Sequence, residues 1–119
     1  MTLTRDDKLI CSHGWDEETS KHTGILYTEN EAPSYEEFMS WKICGKYKPL
    51  DAKTVVEYMR QYPDLLIEID LKKANADKTK LMIKQLVELA SYDESILDRI
   101  LMQFTSEEAF FAIEEVYHF

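Results

Sequence analysis

Apolar positions along this chain fall into short clusters, and their spacing switches between alternation and the three-and-four pattern of a helix. Leu9-Ile10-Cys11 follows the charged turn Arg5-Asp6-Asp7-Lys8 and predicts a strand over Leu9 to His13. Met1-Thr2-Leu3-Thr4 reads as the tail of another strand. Residues 14 to 33 are polar and irregular, punctuated by Gly24, Asn30 and Pro33, and predict a long loop. Ser34-Tyr35-Glu36-Glu37 has the form of a capping box: the Ser34 hydroxyl accepts from the N–H of Glu37, and Glu37 reaches back. A short helix to about Trp41 follows. Pro49-Leu50-Asp51 opens a second helix to about Tyr62, with Val55, Val56 and Met59 on one stripe and Pro63 as its stop.

Leu65-Leu66-Ile67-Glu68-Ile69-Asp70 is the strongest strand pattern in the chain. Lys78 to Ser91 predicts a helix with Leu81, Met82, Leu86, Leu89 and Ala90 apolar, and Ile100 to Phe104 a further strand. Thr105-Ser106-Glu107-Glu108 offers another capping box, opening a helix whose apolar face is Phe110, Phe111, Ile113 and Val116. Strands alternating with helices predict parallel βαβ units with right-handed crossovers and strands buried on both faces. Leu65–Asp70 should then be the central strand, between Leu9–His13 and Ile100–Phe104. Three parallel strands leave open edges, which further chain or a partner would cover. The expectation is a segment of a larger α/β protein, able to self-associate through those edges.

In parallel α/β folds, chemistry gathers at the C-terminal ends of strands. Three such ends are polar here: Ser12-His13-Gly14, Glu68-Ile69-Asp70-Leu71-Lys72 and Gln103-Phe104-Thr105. Alternation puts Glu68, Asp70 and Lys72 on one face. Two carboxylates and an ammonium suit a metal with an anionic substrate; an edge strand with one solvated polar face is the other reading, and both stay open. His13 is a candidate general acid or base, since imidazoles exchange protons near neutral pH. A histidine in such a position is, taken alone, more often structural, and that reading stays open. Gln103 would line the same pocket. His22 and His118 are assigned to solvent.

Composition narrows the classes. A net charge of −9 over 119 residues repels nucleic acid and anionic membrane surfaces but suits a carboxylate site for a divalent cation. Cys11 and Cys44 make neither a disulfide framework nor a zinc site, and read as small apolar residues. The polar N-terminus carries no signal-peptide pattern, and no apolar run approaches the ~20 residues that span a bilayer, so the cytoplasm is the default location.

Several of these segments together resemble the glycerophosphodiester phosphodiesterases. Thr4-Arg5-Asp6-Asp7-Lys8-Leu9-Ile10-Cys11-Ser12-His13 is similar to the family's Thr-any-Asp segment, strand and histidine, with Gly14 where the family has Asp. Thr23-Gly24, Ser34-Tyr35-Glu36-Glu37-Phe38, Pro49-Leu50 and Ile69-Asp70-Leu71-Lys72 resemble further family segments in the same order, the last with Asp70 in place of Glu. The resemblance covers at least residues 2 to 104 and is carried by order and spacing together. It implies a partial (β/α)₈ barrel of the phospholipase-C-like phosphodiesterase type, lacking its first and last strands, as one partial domain over residues 1 to 119. It implies hydrolysis of a glycerophosphodiester to glycerol phosphate and an alcohol, in phospholipid metabolism, with Ca²⁺ or Mg²⁺. His13 matches the second of two acid–base histidines, Asp70 a metal carboxylate, Lys72 the phosphate-facing lysine, and Glu68 is a further possible ligand. The family's His-Arg-Gly and Glu-any-Asp motifs do not occur here, so the resemblance implies an incomplete and inactive chain. A degenerate module acting in binding, or a half-barrel that pairs with a second copy, are the alternatives.

Overall fold

The computed structural model describes residues 1–27, 31–71, 74–104 and 106–119. The chain divides into two units, Met1–Asp51 and Ala52–Phe119. Unit 1 opens with a hairpin. β1 (Thr2–Leu3) pairs antiparallel with β2 (Leu9–Ile10), Thr2 opposite Ile10. The charged turn closes because Asp7 takes a left-handed conformation (φ 57) and its N–H reaches the Thr4 carbonyl at 3.0 Å. Asp is among the few residues that tolerate that region. The turn also receives the next helix: Asp6 accepts from the N–H of Tyr35 at 2.8 Å, and Arg5 N–H donates to Pro33.

Two short helices complete unit 1. α1 (Glu17–Thr23) starts at Asp16, whose carboxylate accepts from the N–H and hydroxyl of Thr19, and stops at Gly24. Gly24 sits at φ 69, a left-handed cap that costs glycine nothing. α2 (Tyr35–Ser40) starts at Ser34, whose hydroxyl accepts from Glu37 N–H as the capping pattern requires. Leu9, Ile10 and Phe38 are buried, and Ile10 forms a bridge to Asp51.

Unit 2 is a helix-covered parallel pair. α3 (Ala52–Gln61) leads to β3 (Ile67–Asp70). α4 (Ala76–Leu89) and α5 (Glu94–Leu97) form the crossover to β4 (Ile100–Gln103), and α6 (Glu107–Glu114) follows. β3 and β4 run parallel, with Ile67 opposite Ile100 and Asp70 opposite Gln103. α3 buries Val55, Val56 and Met59; α4 buries Met82, Ile83, Leu86 and Val87; Ile69, Ile96, Leu97, Ile100, Ala112 and Ile113 complete the core. Each large aliphatic side chain so buried stabilises by ~1.5–3 kcal/mol relative to exposure. On the sheet's other face Glu68, Asp70, Leu101 and Gln103 are exposed.

The partial (β/α)₈ barrel is therefore overturned. The described residues form six helices and two separate two-stranded sheets, with no barrel. The first strand does not flank Leu65–Asp70: β2 is two residues long and pairs with β1 instead. Leu9-Ile10-Cys11 is too short a run to select a parallel neighbour, whereas the hairpin turn brings β1 to it directly. The 14–33 segment holds α1 rather than loop alone, and α5 was not anticipated. In α6 the buried face is Ala112 and Ile113, while Phe111 is 61% exposed. None of the described helices is long and apolar enough to cross a membrane.

Two arginines hold the helix ends of unit 2. The last carbonyls of a helix have no intrahelical donor. Arg99, one residue before β4, donates to Met59 at 2.8 Å, Tyr62 at 3.0 Å and Leu65 at 3.1 Å, and its Nε to Ser95 at 2.7 Å. Arg60 reaches the Leu89 carbonyl near the end of α4 at 2.8 Å. A cation at these C-terminal ends also complements the helix dipole. We predict that Arg99→Ala lowers stability by about 2–3 kcal/mol in urea melts followed by far-UV circular dichroism. Arg99→Lys should recover less than half of that, because an ammonium cannot present the planar fork. An Arg99→Ala loss under about 0.5 kcal/mol would show that the grip contributes little.

Candidate functional site

The outward face of β3–β4 carries the candidate chemistry. Strand alternation turns Ile67 and Ile69 toward the helices and leaves Glu68 and Asp70 outward. The parallel register sets Gln103 directly opposite Asp70. Two carboxylates and a carboxamide thus share one exposed face at the C-terminal end of the pair. Their oxygens are the donor type that hard divalent cations take. Mg²⁺ in particular is held by one or two carboxylates and draws its other oxygens from water and phosphate. Among the described residues no group of three or more His, Cys, Asp or Glu side chains is poised to hold a metal. Lys72 lies outside the described residues.

His13 belongs to unit 1. It is exposed, three residues beyond the end of β2, in a bend where Ser12 Oγ donates to the Gly14 carbonyl at 3.1 Å. It was expected at the end of a strand adjacent and parallel to the one bearing Asp70. That neighbour relation is overturned, since β3 pairs with β4 and β2 with β1.

Two features of unit 1 went unread in the sequence. Asp51 is buried, and the Tyr35 hydroxyl donates to its Oδ2 at 2.6 Å. That bond holds the proton on the phenol and pushes the Tyr35 pKa up to about 12. Burial pushes the Cys11 thiol up to about 11, with the Asp51 charge adding to it, so Cys11 is a poor nucleophile or ligand at neutral pH. The second feature is an aromatic cluster. Trp15 meets Tyr27, Phe38 and Trp41 with ring centroids 6.3, 5.9 and 6.3 Å away, and Trp41 meets Tyr27 at 5.5 Å and Phe38 at 5.4 Å. These rings come from separate segments without periodic spacing. The one available signal was that both tryptophans of the chain fall within its first 41 residues.

Comparison with known proteins supplies no relative: no family model, no curated protein and no solved structure matches the chain.

The Tyr35–Asp51 bond has a pH signature. The folded state raises the phenol pKa from 10.0 to about 12, so it favours the protonated form. The contribution is complete below pH 10 and disappears as pH rises through about 12. Tyr35→Phe should cost about 1–3 kcal/mol at pH 7, and wild type and variant should converge above pH 10 in thermal melts. A gap that stays constant across that range would exclude the bond as its source.

Proposed function

We propose that this chain contributes the cation- and phosphate-binding strand pair of a phosphoric diester hydrolase acting on glycerophosphodiesters, in phospholipid metabolism. One observation carries the reading: Glu68 and Asp70 share the outward face of β3 with Gln103 in register beside them. The order of family-like segments from Thr4 to Lys72 supports the substrate class.

In this reading Asp70 and Glu68 hold a divalent cation, and Gln103 orients phosphate oxygens by donating its amide hydrogens. The cation, when bound, supplies neutralisation of charge on the phosphoryl oxygens. Protonation of the departing alkoxide, as water adds to phosphorus and glycerol phosphate remains, is the role that the resemblance implies for His13. The family's first acid–base histidine, the one in its His-Arg-Gly motif, has no counterpart here. Acid–base catalysis contributes ~10²–10⁴-fold, so turnover of glycerophosphocholine by this chain should stay at background.

Binding tests the reading without requiring turnover. Calorimetric titration should find glycerol phosphate binding that needs Mg²⁺ or Ca²⁺ and weakens roughly tenfold in Asp70→Asn. Binding indifferent to the cation, or unchanged in Asp70→Asn, would refute the assignment.

Self-association is a second reading, favoured by the exposed Leu66 (63%) and Leu101 (57%) beside a two-stranded parallel sheet. Parallel sheets are ordinarily covered on both faces, and apolar patches of a few hundred Å² drive association. Light scattering should find oligomers in the wild type that Leu101→Lys reduces. A monodisperse wild-type monomer would eliminate this reading.

A further inference from the structure

We infer that the aromatic cluster of unit 1 is a binding site for a quaternary ammonium group, with Trp15, Tyr27 and Trp41 as its walls and Phe38 as its floor. The inference stands on unit 1 alone and does not depend on the hydrolase reading.

The centroids of the three wall rings form a triangle with sides of 6.3, 6.3 and 5.5 Å. A single point can therefore stand within ~6 Å of all three, the range over which a ring face attracts a cation. The rings are inclined to one another by 62°, 77° and 54°, as the walls of a box are, rather than stacked. Phe38 is buried and touches Trp15 and Trp41 edge-on at 5.9 and 5.4 Å, closing the base. The three walls are half-open to solvent.

Ring packing by itself also favours inclined pairs at these distances. Two observations go further. Trp and Tyr hold cations better than other side chains, and both tryptophans of the chain are grouped here with a tyrosine. Two of the walls are also tied down by hydrogen bonds of their own, and the third adjoins a helix cap. Trp41 is the C-cap of α2, its N–H bonded to the Phe38 carbonyl at 3.1 Å. Trp15 immediately precedes Asp16, the N-cap of α1. Tyr27 follows the Gly24 cap, and its hydroxyl donates to the Glu31 carbonyl at 2.6 Å, which sets the ring's orientation. Walls held this way lose little freedom when a ligand arrives. The net charge of −9 favours a cationic ligand over an anionic one.

A methylated ammonium is the chemistry that fits. A primary ammonium is strongly hydrated and loses those hydrogen bonds against bare rings. A trimethylammonium group has no N–H to lose and presents a diffuse positive surface to each ring.

Both reporters of occupancy are in the site, because Trp15 and Trp41 are the only tryptophans. Intrinsic fluorescence of the full chain should be titrated with choline chloride, with sodium chloride at equal ionic strength, and with the uncharged carbon isostere of choline. The expected result is a saturable emission change with choline, none with sodium, and binding of the isostere at least roughly threefold weaker. Tyr27→Leu keeps both tryptophans and removes one wall, and should weaken choline binding by a similar factor. No saturation with choline, or equal affinity for choline and its uncharged isostere, would overturn the inference. The isostere comparison is made on the wild type, so it decides the matter even if Tyr27→Leu fails to fold.

Discussion

The parallel pairing of Ile67–Asp70 with Ile100–Gln103 is the constraint on which unit 2 is organised. Parallel strands cannot be joined by a tight turn; the chain must leave one end of the sheet and return to the other. Here the return consists of α4 and α5, whose apolar faces cover the inner side of the pair. That requirement accounts for the rest: α4 needs fourteen residues and an Asn75 cap, and α3 and α6 pack on it from either end of the sequence. The same pairing gives Asp70 and Gln103 their adjacency, so the candidate site exists only as long as the register holds.

Polar groups then secure what burial has assembled. Among the described residues no buried side-chain nitrogen or oxygen lacks a hydrogen-bond partner. Unit 1 achieves this with short local devices: Asp6 and Ser34 at the start of α2, Asp16 at α1, and Tyr35 on Asp51. Unit 2 relies on guanidinium groups bridging segments far apart in the chain, Arg60 across 29 positions and Arg99 across as many as 40. The difference follows from size. A small unit with few buried aliphatics leans on caps and turns, while the larger one has helix ends to cap against each other.

The sequence was legible where a pattern ran long enough to have a period. α3, α4 and the β3–β4 pair stand within a few residues of their expected positions, and Val55, Val56 and Met59 are buried as their spacing requires. It misled where a run was short or where alternation was extrapolated. Leu9-Ile10-Cys11 carries no information on strand direction, and the choice fell to the Asp7 turn. Extending βαβ alternation to the whole chain gave three adjacent parallel strands, and the resemblance gave the barrel; the separate β1–β2 hairpin contradicts both. The site divides the same way. That Glu68 and Asp70 share a face follows from alternation, but the position of His13 rested on the strand pairing that failed. The aromatic cluster had no periodic sequence signature, because its members come from segments around the caps at Asp16 and Gly24 and the end of α2.

Glu68 and Asp70 have a further consequence as guards of an exposed strand. A second copy joined through the same free edge of β3 would run antiparallel and stand ~4.8 Å away; centred on Ile69, the pairing would set Glu68 against Asp70 twice on the outward face. That repulsion opposes like-on-like extension of a sheet that carries Leu101 on its surface and has the exposed Leu66 just before it. A cation bound between the carboxylates would remove the guard at the moment it neutralised them. The charge pair that equips this strand to hold a ligand thus also opposes one route by which the sheet could extend.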